Sequence, residues 1–327
     1  MLLKRITSSL LLLLIITFVA SSVGATNSGN LLRYLTGDLS TAQAEIMSSI
    51  RLPRIATAIL AGFLIGISGA TMQRVFGNPL AEPTLLGTTA AAALGSVLVI
   101  LLGASAVQFE LTLPAAFTVA LFISALAVWL SDKTRLQGAN FIIIGIATAA
   151  LLNGIIATVA AVVGSSEIRA ISFWSSGTLA FARSESVVLL GIITLLMLLA
   201  LPALSSKLDL FVFNSVQLTL LGYAPRRLKL MALTLTSLAV SATVVSIGAV
   251  AFLGLAAPFI ARFIFGESMK LSLFASGVIG ATLLLVSDTI ARSIAAPNEI
   301  PISVVTSLIG APFLFMLILR NRVSNNA

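Results

Sequence analysis

The sequence predicts an all-α, polytopic membrane protein of about ten transmembrane helices, both termini cytoplasmic, folded as one transmembrane domain over residues 1–327. Three observations predict it. Hydrophobic residues make up 58% of the chain and charged residues only 9%, where a soluble globular chain carries about 25% charged. The apolar residues gather in ten runs, roughly 9–25, 55–76, 86–103, 113–131, 140–163, 187–204, 228–246, 250–265, 272–291 and 302–319. The basic residues, finally, are shared unevenly between alternate connections. No water-soluble fold hides this much apolar surface, so the solvent for most of the chain is lipid.

The first run follows Lys4-Arg5 and ends in Ala20-Ser21-Ser22-Val23-Gly24-Ala25, which mimics a cleaved secretory signal. Retaining it as a helix makes the number of crossings agree with the charge distribution. The second run, Ile55 to Phe76, is rich in small residues: Ala58, Ala61, Gly62, Gly66, Ser68, Gly69 and Ala70. Such residues let helix backbones approach closely in lipid, which predicts a helix buried among others. It stops at Gly77-Asn78-Pro79, and Pro83 follows Glu82. Two prolines four apart end a helix, and the acid between them resists hydrocarbon, so the exit is structured. The eighth run holds Pro258, which predicts a kink. Three connections are long: Thr26 to Ile50, Gly164 to Ser186 and Ser205 to Lys229.

With the N-terminus inside, thirteen basic residues fall on inner loops and six on outer ones, the latter being Arg33, Arg51, Arg54, Arg169, Arg183 and Arg292. The +8 net charge therefore reads as positive-inside bias and not as a nucleic-acid surface. The chain has no cysteine and no histidine, which excludes disulfides, thiolate metal sites and the commonest proton shuttle. No lysine follows a glycine, so no phosphate loop of the Walker type is present and the chain is not its own ATPase. No Asp or Glu falls in the middle of an expected span, Asp288 being the nearest. That disfavours a carrier coupled to an ion gradient, which places ionisable or unwound polar sites at membrane depth.

Arg51-Leu-Pro-Arg54, the small-residue run, and Asn78-Pro-Leu-Ala-Glu-Pro-Thr-Leu-Leu-Gly87 together form a long, irregular motif. It resembles the signature of the FecCD family, permease subunits of ABC importers for iron-siderophores, haem and vitamin B12. Phe173-Trp174-Ser-Ser-Gly177, Gly248 to Arg262, Asp288-Thr-Ile-Ala-Arg292 and Glu299 to Pro312 resemble further family elements. Phe259 replaces the family's histidine and Ser303 a glycine. By this resemblance, Arg51, Arg54 and Arg292 dock acidic residues of a substrate-binding protein. Arginine's planar fork suits carboxylates. Read without the family, the same three are interfacial anchors, with Asp288 and Arg292 paired at i,i+4 spacing.

The resemblance further implies that Ser205 to Lys229 fits a groove on the ATPase through Gln217, Leu221, Gly222 and Arg226. Asn214 to Gly222 matches the family pattern there only in part. Asn153 on the fifth helix, with Ser303 and Thr306 on the tenth, are expected to line the translocation path at a two-fold interface. Hydrogen bonding between helices is the alternative for these polar residues. The aromatic pair Phe173-Trp174 is read as part of an outer gate, or else of an interfacial belt.

The function so implied is not enzymatic: a membrane-spanning permease of a binding-protein-dependent ABC importer in a bacterial inner membrane, carrying a ferric siderophore. Its partners are ABC ATPase subunits, an extracytoplasmic substrate-binding protein and a second permease in a homo- or heterodimer, and no nucleic acid. The chain itself binds no cofactor or metal; ATP and Mg sit on the ATPase. Vitamin B12 or haem is the alternative cargo, and a secondary carrier driven by an ion gradient is the alternative from another class.

Overall fold

The computed structural model describes residues 2–23, 29–84, 86–102, 109–134, 139–162, 176–266, 268–294, 296 and 298–312. Thirteen α-helices are described. They are α1 (Leu2–Ser22), α2 (Leu31–Leu35), α3 (Thr41–Ile46), α4 (Leu52–Val75), α5 (Thr88–Leu101), α6 (Phe109–Thr134) and α7 (Ala139–Val162). Then follow α8 (Ser184–Asp209), α9 (Ser215–Leu220), α10 (Pro225–Ile247), α11 (Leu253–Phe265), α12 (Met269–Ile294) and α13 (Ile302–Pro312). Seven helical stretches are long and apolar enough to cross a membrane, and α5, α11 and α13 are shorter apolar helices. The all-helical, polytopic architecture expected from the sequence is the one observed.

α4 is the pillar of the bundle. It packs on α12 most extensively and also on α10, α11, α8 and α1. Of its most apolar stretch 83% is buried within the protein, against 17% for α7, which lies at the periphery. Small residues make this possible, as their frequency in the second run predicts. A Cβ added at Gly62 would lie 2.4 Å from the Gly280 carbonyl, and one at Gly66 2.1 Å from the Ser276 carbonyl. The two helices thus meet backbone to backbone.

The start of this helix differs from expectation. The expected span begins at Ile55, yet α3, within the long connection before it, runs through a π turn, Met47–Arg51, straight into α4. Thr41–Val75 is one helical stretch of 35 residues, about 52 Å at 1.5 Å per residue. Pro53 has no N–H for the carbonyl four residues earlier, and the wider π turn just before it accommodates that loss.

Two expected spans are only half-length. α5 has 14 residues and α11 has 13, about 20 Å each, against some 30 Å of hydrocarbon. Both begin deep in the bundle. Thr88, the first residue of α5, lies 3.3 Å from Ser124, which is 3.3 Å from Ser237, and these serines sit in the middle of α6 and α10. A Cβ at Gly69 would lie 1.8 Å from the Gly254 carbonyl, so α11 starts about 9 Å above the end of α4. Residues 76–84, 86–87 and 248–252 supply the missing depth as irregular backbone. Such backbone is tolerated at depth only when enclosed by protein, and the burial of Ala81, Glu82 and Val250 meets that condition.

The exit after α4 is ordered, as the two prolines suggest. Asn78 accepts the Leu80 N–H through Oδ1 at 2.9 Å, the Ala81 N–H bonds the Asn78 carbonyl, and Gly77 takes a φ of +58°. Glu82 is the surprise: it is not held at a surface but only 2% exposed. Asp288, near the end of α12, is fully buried as well, so both acids lie outside the middle of a span yet inside the bundle.

Candidate functional site

Three places carry the residues singled out from the sequence. At the end of the bundle where α4 begins and α12 finishes, Arg51, Arg54 and Arg292 come together. Arg54 donates through Nε to both Asp288 oxygens at 3.0 and 3.1 Å and through Nη2 to Asp288 Oδ1 at 2.7 Å. Its other edge faces Glu299, with Nη1 to Oε1 at 2.6 Å and Nη2 to Oε2 at 2.9 Å. Arg51 donates to the Ser21 and Gly29 carbonyls at 2.7 and 3.1 Å. Arg292 donates to the Ala20 carbonyl and lies 3.6 Å from Asp288, the pair spaced i,i+4 as the sequence suggests.

None of the three arginines is more than 8% exposed. The three arginines expected to dock a partner form a buried, internally paired cluster that ties α1, α4, α12 and the lead-in to α13. Buried charge demands such pairing. The accessible member is Glu299, whose side chain is 32% exposed.

The second place is α13. Ser303, Val304, Ser307, Leu308, Ala311 and Pro312 line an open, mostly apolar concavity of about 640 Å³. Ser303, expected on the path, lines this concavity, and its hydroxyl donates to the Ala249 carbonyl at 2.7 Å. Thr306 is turned into the bundle at 4% exposure and bonds the Ser303 carbonyl; Ser307 and Leu308 hold the open face in its stead. Asn153 is exposed on α7 alongside Leu151 and Ile155. The Phe173-Trp174 pair lies outside the described residues.

The third place is the connection between α8 and α10, where α9 is built by its caps. Asn214 accepts the Gln217 N–H at 2.9 Å, and Gln217 reaches back to accept the Asn214 N–H at 3.0 Å, a reciprocal capping box. At the far end the Tyr223 N–H bonds the Leu218 carbonyl and the Gly222 N–H that of Thr219, with Gly222 at φ +82°. This closure requires a left-handed residue. Gln217 and Gly222 therefore shape α9, while Leu218 anchors it at 1% exposure. Its accessible face is Val216, Leu220 and Leu221, exposed by 69%, 82% and 55%, next to the exposed Arg226. Val216 and Leu220 escaped the sequence reading. Their signal was available, since exposed apolar residues in a short polar-capped helix mark a contact surface.

A bundle of apolar helices with a capped, apolar-faced helix on one connection and an arginine cluster at one end defines a polytopic membrane permease. The chain belongs to the FecCD transport family, whose model matches residues 9–320. It is 32% identical over 316 residues to the hemin transport system permease protein of Yersinia pestis, covering 94% of this chain and 95% of that one. The ferric enterobactin transport system permease protein of Escherichia coli is 33% identical, with 95% and 93% covered. The Fe(3+)-citrate import system permease protein of Bacillus subtilis is 34% identical, with 84% and 81% covered. Among solved structures, an inward-facing metal-chelate type ABC transporter superposes with a TM-score of 0.83 at 27% identity, over 97% of this chain and 99% of that one.

Proposed function

We propose that the chain is the membrane-spanning subunit of a binding-protein-dependent ABC importer for a ferric chelate, with ferric siderophore as cargo. The observation that carries this reading is the exposed apolar face of α9, formed by Val216, Leu220 and Leu221, on a helix fixed by caps at both ends. A chain without a Walker phosphate loop needs an external motor, and a rigid small helix with an apolar face is a fitting handle for one. ATP and Mg belong to that ATPase. Two permeases pair, with α7 and α13 facing the path between them. Both termini lie in the cytoplasm of a bacterial cell, and the membrane is its inner one.

At the opposite end the binding protein docks, its carboxylates meeting the field of Arg51, Arg54 and Arg292, of which Asp288 and Glu299 neutralise only part. The cluster's excess positive charge steers acidic partners even though its guanidinium groups are internally bonded. The test is uptake by vesicles containing permease, ATPase and loaded binding protein. Import is expected to require ATP hydrolysis and to survive collapse of the proton and sodium gradients. Steady import by the permease alone, lost on collapsing a gradient, overturns the reading in favour of a secondary carrier.

Haem is the alternative cargo, supported by the 32% identity to the hemin permease, which nearly equals that to the enterobactin one. Titrating the cognate binding protein with ferric siderophore and with hemin separates the two.

A further inference from the structure

The five residues Gly248–Phe252 bridge α10 and α11 without helical structure, and remote segments meet on them from several sides. From the α4 exit, the Glu82 carboxyl lies against the first turn of α11, its Oε2 3.5 Å from where a Cβ on Gly254 would stand and facing the backbone N–H groups of Phe252 and Leu255, and Thr84 Oγ1 lies 3.5 Å from the Val250 carbonyl. From the segment before α8, the Thr178 N–H donates to the Ile247 carbonyl at 2.8 Å. Gly177 lies so close that a Cβ on it would stand 2.3 Å from the Ala249 carbonyl. α13 rests on the bridge at both ends: Ser303 donates to Ala249, and Gly310 abuts Phe252, where a Cβ would fall 2.5 Å from the Phe252 Cβ. The Ile302 N–H completes the seat by donating to the Gly177 carbonyl at 3.1 Å.

Phe252 holds this seat in an unfavourable shape. Its φ of +62° makes it the one non-glycine residue with positive φ among the described residues, a conformation that brings Cβ against the backbone and that L-residues rarely adopt. Something must fix it. The first N–H groups of a helix carry partial positive charge, and the Glu82 carboxyl faces those at the start of α11. Glu82 does so while 98% shielded, with its second oxygen, Oε2, unpartnered. An apolar residue would avoid that desolvation, so the carboxyl is retained for what it holds.

We propose that Glu82 is a positioning residue for transport: it holds the Gly248–Phe252 bridge in the shape on which α13, and with it the wall of the concavity, is seated. The inference rests on the reading that α13 lines the cargo path. It places Asn78 to Gly87 in the working mechanism as the brace between the end of α4 and the path-lining helix.

The experiment uses the complete importer in vesicles, with loaded binding protein, and compares Glu82→Gln, Glu82→Ala and the double variant Glu82→Ala with Phe252→Gly. The Gln side chain has the same shape and still turns an oxygen toward the start of α11, so at least about half of the maximal uptake rate is expected to remain. Glu82→Ala is expected to lower that rate about tenfold, with the half-saturating concentration of binding protein and the basal ATPase rate changed less than about twofold. Glycine adopts a positive φ unaided, so the double variant should regain at least about threefold over Glu82→Ala.

Wild-type uptake by Glu82→Ala overturns the proposal. So does an assembled but inactive Glu82→Gln, or a loss seen wholly in the half-saturating concentration. If Glu82→Ala fails to assemble, Glu82→Gln decides: transport by it supports the role, and its failure to assemble assigns Glu82 to folding alone and overturns it. The path reading is checked separately by Ser307→Cys, whose labelling from water should be blocked by cargo. Absence of that labelling removes the path reading irrespective of the Glu82 uptake result.

Discussion

Arg54 and Asp288, 234 positions apart in the chain, form a buried ion pair in which one guanidinium edge covers both carboxylate oxygens. Asp288 is fully buried, and the Arg54 side chain is 10% exposed. Removing one partner from such a pair leaves an uncompensated charge and costs about 3–5 kcal/mol, while removing both costs far less. Arg54→Ala is therefore expected to lower the thermal stability of the detergent-solubilised protein markedly, and Arg54→Ala with Asp288→Ala to recover part of the loss, since Glu299 and Arg292 also lose a partner in the double variant. Equal melting temperatures for the two variants would show that the pair contributes nothing.

The contact of Gly66 with Ser276 gives a steric prediction. A Cβ at Gly66 would lie 2.1 Å from a backbone carbonyl, which has no rotamer into which to retreat. Overpacking of a core costs about 1–3 kcal/mol when side chains can shift, and here none can. Gly66→Val should fail to accumulate as folded protein, whereas the same change at Gly154, which has nothing within 4 Å, should be tolerated. Comparing size-exclusion profiles of the two variants checks this.

On α9, Leu220 is 82% exposed and makes the most accessible apolar contribution to the proposed ATPase contact. Leu220→Asp is expected to leave the fold intact and to reduce uptake by about a hundredfold, because a truncated and charged anchor removes a central contact. Gln217→Ala removes one half of the capping box, a loss of about 1 kcal/mol in local helix stability, and should weaken coupling mildly. Co-purification with the ATPase distinguishes the two outcomes. Retention of full coupling by Leu220→Asp would remove α9 from the contact.

The absence of cysteine makes every introduced thiol unique. On α13, Leu308→Cys should react with a water-soluble maleimide, since that position is 71% exposed and lines the concavity. Thr306→Cys, two residues earlier and 4% exposed, should react at least about tenfold more slowly, because thiol reactivity follows access. Equal labelling would mean that α13 presents a different face.

Legibility in the sequence varied with the range of the interaction. Spans and the burial of α4 were readable because apolar runs and small residues are local signals, and Gly62, Gly66 and Gly69 report close backbone approach directly. The Asp288–Arg292 spacing was readable for the same reason. The pairing of Arg54 was not readable, because its two acidic partners lie 234 and 245 positions away. No periodicity reveals such a pair. The half-length of α5 and α11 was hidden because enclosed irregular backbone is as apolar as helix. The role of Gln217 was legible in retrospect, since Asn214 and Gln217 stand at the spacing of a cap. For Thr306 the resemblance pointed to the path, while the alternation of buried Ile302 and Thr306 with accessible Ser303 and Ser307 turns it inward.

Where α4 and α12 cross, main chain touches main chain at Gly62, Gly66, Ser276 and Gly280. Two rods in such contact have no cushion of side chains to deform, so they cannot slide or roll past each other without parting. Any alternation between open and shut forms must leave this crossing still, as an axle is still within a wheel. The travelling parts are then the outlying helices, and α1 and α7, the least embedded of the long ones at 11% and 17% buried, have the greatest freedom to swing.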